Sequence, residues 1–177
     1  MNKLLYVIVA LVAGAVGFFV FQKATVLPQP EHALYYQQVR EVKLFQLTNH
    51  HNQAFTKEQL ANKWSWVFLG YTSCPDVCPT TLQELNFVYD DLKAISKDTQ
   101  ILLVSVDPSR DTPEKLAQYI AYFNEEFIAL TGDHGVLFPF ARNLGMMYAI
   151  NEPEGDEADN NGYLVDHSAS LVLINPQ

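Results

Sequence analysis

An α/β domain on a largely parallel sheet, behind an N-terminal transmembrane helix, is the architecture this sequence predicts. Three observations predict it. Between positions 64 and 144, aliphatic strand-like runs alternate with helical patterns, the signature of a parallel sheet flanked by helices. The only two cysteines, Cys74 and Cys78, fall where the first of those runs gives way to a helix. Ahead of everything else, Leu4 to Phe21 is uncharged and apolar. With 177 residues, 49% of them hydrophobic, the chain can build one real core and a small appendage.

As a helix the apolar stretch would reach roughly 27 Å, about the hydrocarbon thickness of a bilayer. Val20-Phe21-Gln22 lacks the small residues of a cleavage site, and no lipobox cysteine is present. Residues 1–23 are therefore read as an uncleaved anchor rather than a signal peptide. Lys3 and the amino terminus precede the span and Lys23 follows it, a small excess that favours a cytoplasmic N-terminus. A single-pass protein of the inner membrane, with its domain facing the periplasm, is expected. Pro28 and Pro30 forbid a continuing helix, so 24–39 is expected to be a linker and 40–177 the globular domain. All 20 acidic residues lie beyond position 30, against nine of the 11 basic ones. That balance argues against nucleic acid as a partner.

Within the domain, Val42, Leu44 and Leu47 alternate as in an edge strand. Asn49-His50-His51-Asn52 reads as a solvated turn, because neighbouring side chains on extended backbone point apart and do not converge on a metal. Thr56-Lys57-Glu58-Gln59 is a capping-box pattern opening a short helix. Trp64 to Tyr71 reads as the strand that delivers the cysteines. Leu82, Leu85, Val88, Leu92 and Ile95 follow at steps of three and four, one helical face. Gln100 to Val106 is a near-continuous aliphatic run, as in a central parallel strand. Thr112-Pro113 opens the next helix, with Leu116, Ile120 and Phe123 on one face. Phe127 to Leu130 is a short strand, and His134 to Leu144 a third helix stopped by Gly145. Met147 to Asn151 reads as a strand. Glu152 to Asn161 reads as an acidic solvated loop. Tyr163 to Val165 and Ser168 to Ile174 read as a closing hairpin. A cysteine pair at the first strand–helix junction and a closing hairpin together make a thioredoxin-like arrangement.

The cysteine loop is where chemistry is expected. Each cysteine is followed by proline, and Pro79 suits the first helical position. Cys78 then falls at or near the N-cap, where the helix dipole and free N–H groups favour a thiolate. A structural disulfide, a redox pair and a metal site all remain open from the pair alone.

Four blocks make the chain recognisable. They are Gly70-Tyr71-Thr72-Ser73-Cys74-Pro75-Asp76-Val77-Cys78-Pro79-Thr80, Ser105-Val106-Asp107-Pro108-Ser109-Arg110-Asp111-Thr112-Pro113, Leu130-Thr131-Gly132 and Tyr163-Leu164-Val165-Asp166-His167-Ser168. In this order, behind a membrane span, they resemble the Sco/SenC family of membrane-tethered copper-binding proteins over about 45–176. The resemblance implies that Cys74, Cys78 and His167 bind one copper ion, Cu(I) or Cu(II), with Asp107 as a supporting group. It implies a copper metallochaperone assisting assembly of the binuclear copper centre of cytochrome c oxidase. The oxidase's copper-bearing subunit or another copper acceptor, and other copper chaperones, are then the implied partners. The family has a glycine near Asn52-Gln53 that is absent here. Family members also continue with a further strand and helix, so a chain truncated after Gln177 is expected.

The competing reading is a thiol-disulfide oxidoreductase that keeps the acceptor's cysteines reduced. Redox members of the thioredoxin-like fold use Cys-x-x-Cys and a proline before the late hairpin strand. Here three residues separate the cysteines, and no proline lies between Gly155 and Asn175. Thr72-Ser73-Cys74 is only a fragment of a peroxidase motif. A metallochaperone rather than an enzyme is the expectation.

Overall fold

The computed structural model describes residues 2–25, 33–36, 38, 40–151 and 163–176. It divides into two units, Met1–Glu41 and Val42–Gln177. The first holds helix α1 (Asn2–Thr25), whose segment Lys3–Ala24 is long and apolar enough to cross a membrane by length and composition. Its apolar side chains, such as Leu4, Leu11 and Phe19, are exposed all round, so α1 has no polar face for a water-soluble surface helix. Most of the expected linker, and the acidic segment Glu152 to Asn161, lie outside the described residues.

The second unit is built on a six-stranded sheet with a separate two-stranded ladder. Strands β1 (Gln46–Asn49) and β2 (Ala54–Thr56) form a hairpin, followed by a 3-10 turn at Lys57–Gln59. Then come β3 (Trp64–Gly70), α2 (Val77–Ile95), β4 (Thr99–Ser105), α3 (Pro113–Phe123), β5 (Ile128–Thr131) and α4 (His134–Asn143). Strands β6 (Tyr148–Asn151), β7 (Leu164–His167) and β8 (Val172–Ile174) complete it. The sheet order is β2-β1-β5-β4-β3-β8, with β6 and β7 paired apart from it. The β3–β4 and β4–β5 ladders are parallel, and β1 and β8 run antiparallel to their neighbours. This is a thioredoxin-like α/β fold.

The alternation of β3 and β4 divides the core. Val67, Leu69, Leu102 and Val104 face α4 and the β6–β7 ladder, packing on Leu137, Phe140, Tyr148 and Val165. Phe68, Ile101 and Leu103 face α2 and α3, packing on Leu82, Leu85, Leu116 and Ile120. Each such fully buried side chain contributes about 1.5–3 kcal/mol. Thr112 caps α3 by accepting from Lys115 N at 3.3 Å, with Pro113 in the first turn, as expected.

Several expectations are corrected. Residues 163–174 are not one hairpin: β7 pairs with β6, while β8 joins β3. The free edge of β3 carries backbone donors and acceptors that need partners, and β8 supplies them. The first strand starts at Gln46, with Leu44 86% exposed. The inner face of α2 runs Cys78, Leu82, Leu85 and Tyr89, leaving Val88 at its margin and Ile95 85% exposed. The helix opened by Thr56 is only a single 3-10 turn, with Thr56 N donating to Gln59 Oε1 at 2.6 Å.

The turn at 49–52 is not wholly solvated either. Asn49 Oδ1 accepts from His51 N and Gln53 N, at 3.0 and 2.9 Å. Asn52 takes the left-handed φ of 58°, so asparagine serves where glycine is usual. His50 is only 9% exposed, and its Nδ1 accepts from Ala129 N at 3.1 Å. Burial first, then the adjacent His51, lowers its pKa below the ordinary 6.5. As pH falls through 6.5, the unfolded chain therefore takes up this proton before the folded one. The contribution is complete above about pH 6.5 and is lost below it, toward the lower folded pKa. Melting curves between pH 8 and 5 should show a steeper decline for the parent than for His50→Asn. Parallel curves would contradict the assignment.

Candidate metal centre

Strand β3 delivers the chain to the loop at Gly70. Tyr71 is buried, and Cys74 N donates back to Tyr71 O at 3.2 Å, turning the loop toward α2. Helix α2 starts at Val77, with Asp76 at the N-cap position and Thr80 N donating to Asp76 O at 3.2 Å. The start is two residues earlier than expected. Pro79 sits at the third helical position, where a missing N–H is still harmless, and Cys78 lies inside the first turn. The Cys78 side chain is wholly buried, whereas Cys74 is partly exposed.

His167 closes β7, opposite Tyr148 in the β6–β7 ladder. Its Nε2 lies 3.5 Å from Cys78 Sγ. Its Nδ1 lies 3.2 Å from the Ser168 carbonyl oxygen. A carbonyl only accepts, so Nδ1 carries a proton and in the neutral ring Nε2 presents a lone pair toward the sulfur. That is the tautomer a metal ligand needs, held by the hydrogen bond on the other ring nitrogen. The ligating atoms of Cys74, Cys78 and His167 all lie within 4.8 Å of one another. Among the described residues this is the only such group of three or more His, Cys, Asp or Glu. The opening above it is lined by Cys74, Asp76, Val77, Asp166 and His167.

The other described histidines stay away. His134 Nδ1 meets Tyr148 Oη at 2.8 Å, and His50 is committed to Ala129. His51 is exposed beside it, and His32 lies outside the described residues.

The expectation that helix α2 would favour a thiolate at Cys78 is corrected. Burial pushes the thiol above its ordinary 9.0, and the hydrogen bond with Cys74 adds to the rise. A sulfur with no exposed surface loses more from desolvation than the helix terminus returns. A metal cation bound between the sulfurs would reverse the balance by replacing the proton.

The loop from Asp107 to Asp111 between β4 and α3 ties the segments bearing Cys74 and His167 together. Asp111, fully buried, accepts from Thr72 N at 2.9 Å, Thr72 Oγ1 at 2.5 Å and Ser105 Oγ at 2.7 Å, with Lys115 Nζ at 3.4 Å. It therefore holds the cysteine loop two residues before Cys74. Asp107 accepts from Tyr163 Oη and pairs with Arg110 Nε. The Arg110 guanidinium lies 3.8 Å over the Tyr163 ring. Those contacts hold the chain entering β7, four residues before His167. Tyr71 joins the sides, its Oη accepting from Val165 N at 3.5 Å and its ring set edge-on to His167. Sequence reasoning singled out Asp107 alone. Asp111, Tyr163 and Tyr71 lay within the quoted blocks, but their pairing is tertiary.

Two thiols and one imidazole form a soft-to-borderline donor set suited to copper in either oxidation state. The SCO1/SenC family model matches residues 35–177. A relative from Stutzerimonas stutzeri is 37% identical over 139 residues, covering 77% of this chain and 65% of that one. The human mitochondrial SCO1 homolog is 34% identical over 134 residues, covering 75% of this chain and 43% of the human protein. The chain thus spans less than two thirds of the length of these two curated relatives. The copper-bound crystal structure of Arabidopsis thaliana ScoI superposes with a TM-score of 0.67 at 33% identity, covering 76% of this chain and 81% of that one. From the profile match across most of its length, the chain belongs to the SCO1/SenC family.

Proposed function

We propose that the protein is a copper metallochaperone that takes its cargo on Cys74, Cys78 and His167. The observation that carries this reading is the convergence of the two sulfurs on His167 Nε2, with the opposite ring nitrogen committed to a carbonyl. Three donors suit a trigonal Cu(I) site, or a tetragonal Cu(II) site with one further ligand. A closed structural zinc site takes four. The partly exposed Cys74 and His167 line the opening, so an acceptor's thiol reaches the cargo from that side by ligand exchange. The acceptor is the copper-bearing subunit of cytochrome c oxidase or another copper-binding protein, and the protein assists assembly of the binuclear copper centre. Loading comes from another copper chaperone. The same thiols allow a second reading, reduction of the acceptor's cysteines, because both are free and their sulfurs lie close together. Titration of the reduced full-length protein in detergent should give one Cu(I), or one Cu(II), per chain, transferable to a peptide with two cysteines. Fast disulfide reduction with no stoichiometric copper uptake would replace the first reading by the second.

In the same proposal, residues 1–23 anchor the protein once through the inner membrane, 24–39 form a linker, and the domain from 40 onward faces the periplasm. The uniform apolarity of α1 supports the span, and Lys3 with the amino terminus ahead of it supports the orientation. Protease added to spheroplasts should remove the domain. A protected domain would reverse the orientation.

A further inference from the structure

Gly70 is the last residue of β3, and its position is crowded. A Cβ built on it would meet Cys78 Sγ at 2.9 Å, Leu103 Cδ1 at 2.9 Å and Cys78 Cβ at 3.6 Å. Favourable carbon contacts start near ~3.5 Å, so a methyl group here overlaps the sulfur. Conformational freedom does not explain the glycine. Among the described glycines only Gly145 has a positive φ, so any residue could adopt the backbone of Gly70. A glycine inside a strand otherwise weakens it. The backbone cannot give way, because Gly70 pairs with Ser105 in the parallel ladder and its carbonyl accepts from Val106 N at 2.9 Å. Cys78 is just as confined: wholly buried, in the first turn of α2, with His167 Nε2 3.5 Å from its sulfur.

We propose that Gly70 is a positioning residue of the metal centre: the side chain it lacks is the seat of the Cys78 sulfur. The inference rests on the copper-site reading above and adds a residue that bears no donor atom. It explains the asymmetry of the pair. Cys78 is held from beneath at a fixed point, while Cys74 stays partly open to an incoming partner.

The test is a double-mutant cycle on the reduced, metal-free full chain in detergent, combined with copper titration of the same proteins. Gly70→Ala should lower the melting temperature by roughly 3–10 °C, as overpacking does. In a Cys78→Ala background the same change should cost clearly less, because the overlap with the sulfur is gone and only that with the flexible end of Leu103 remains. With both cysteines intact, Gly70→Ala should weaken Cu(I) binding at least about tenfold and shift the thiolate-to-Cu(II) absorption. Equal melting losses in both backgrounds would overturn the inference, as would parent-like affinity and spectrum. If Gly70→Ala fails to fold alone but folds with Cys78→Ala, the coupling is demonstrated; failure in both overturns it. A parent that takes up no copper would overturn the metal reading and the positioning role with it, while the melting cycle would still report the contact between the two residues.

Discussion

Cys74→Ala and Cys78→Ala should each remove tight copper binding, by more than about 100-fold, or about 2.7 kcal/mol, while the domain is expected to stay folded. Either change leaves one sulfur and one imidazole, too few soft donors to hold Cu(I). The folding half of the expectation follows from burial. Cys74 is partly exposed and packs only at the edge of the core. Cys78 is fully buried, but losing one sulfur atom there costs on the order of 1 kcal/mol. A disulfide between them would close too short a loop to contribute much chain entropy. Copper competition titrations and thermal melts of the reduced, metal-free variants check both halves. A large melting loss in both variants would point to a structural role for the pair.

Asp111→Ala is expected to have the largest effect on stability of any change outside the apolar core. The carboxylate accepts from Thr72 N, Thr72 Oγ1 and Ser105 Oγ in a site without exposed surface. Alanine leaves those donors buried without their acceptor. The cost is about 3 kcal/mol, allowing for hydroxyls that find other partners, or a melting loss of roughly 10 °C. Copper affinity should fall too, because Thr72 stands two residues before Cys74. Thr72→Val spares the backbone bond and should cost clearly less. An equal or larger loss for Thr72→Val would show that Asp111 acts elsewhere.

How much was legible follows from the length of each signal. Strands β3 and β4 are seven residues long, with unbroken apolar stretches at Trp66–Leu69 and Ile101–Val104, so their place inside the sheet was readable. Strands β6, β7 and β8 have only three or four residues, too few to encode partners: β6 was read without one, and the pairing of β7 with β8 was misassigned. Pro79 is tolerated throughout a first helical turn, so it could not fix the start of α2 to the residue. The donors were named from the resemblance, and the structure brings all three together. The protonation of Cys78 was misjudged because its burial comes from tertiary packing. A Cβ at Gly70 would meet both the Cys78 sulfur and Leu103 Cδ1, and the loop's own sequence does not show that proximity.

His167→Ala tests the central claim most directly. A disulfide reductase needs its two thiols and leaves an imidazole 89 positions downstream optional. A copper centre on Cys74 and Cys78 needs the third donor. The measurement is Cu(I) affinity by competition, with the thiolate-to-Cu(II) absorption spectrum, on reduced full-length parent and His167→Ala. Affinity should fall at least about tenfold, on the order of 1.4 kcal/mol, and the absorption should disappear with both thiols still titratable. Parent-like copper affinity and spectrum in His167→Ala, with rapid thiol-disulfide exchange in both proteins, would contradict the metallochaperone account.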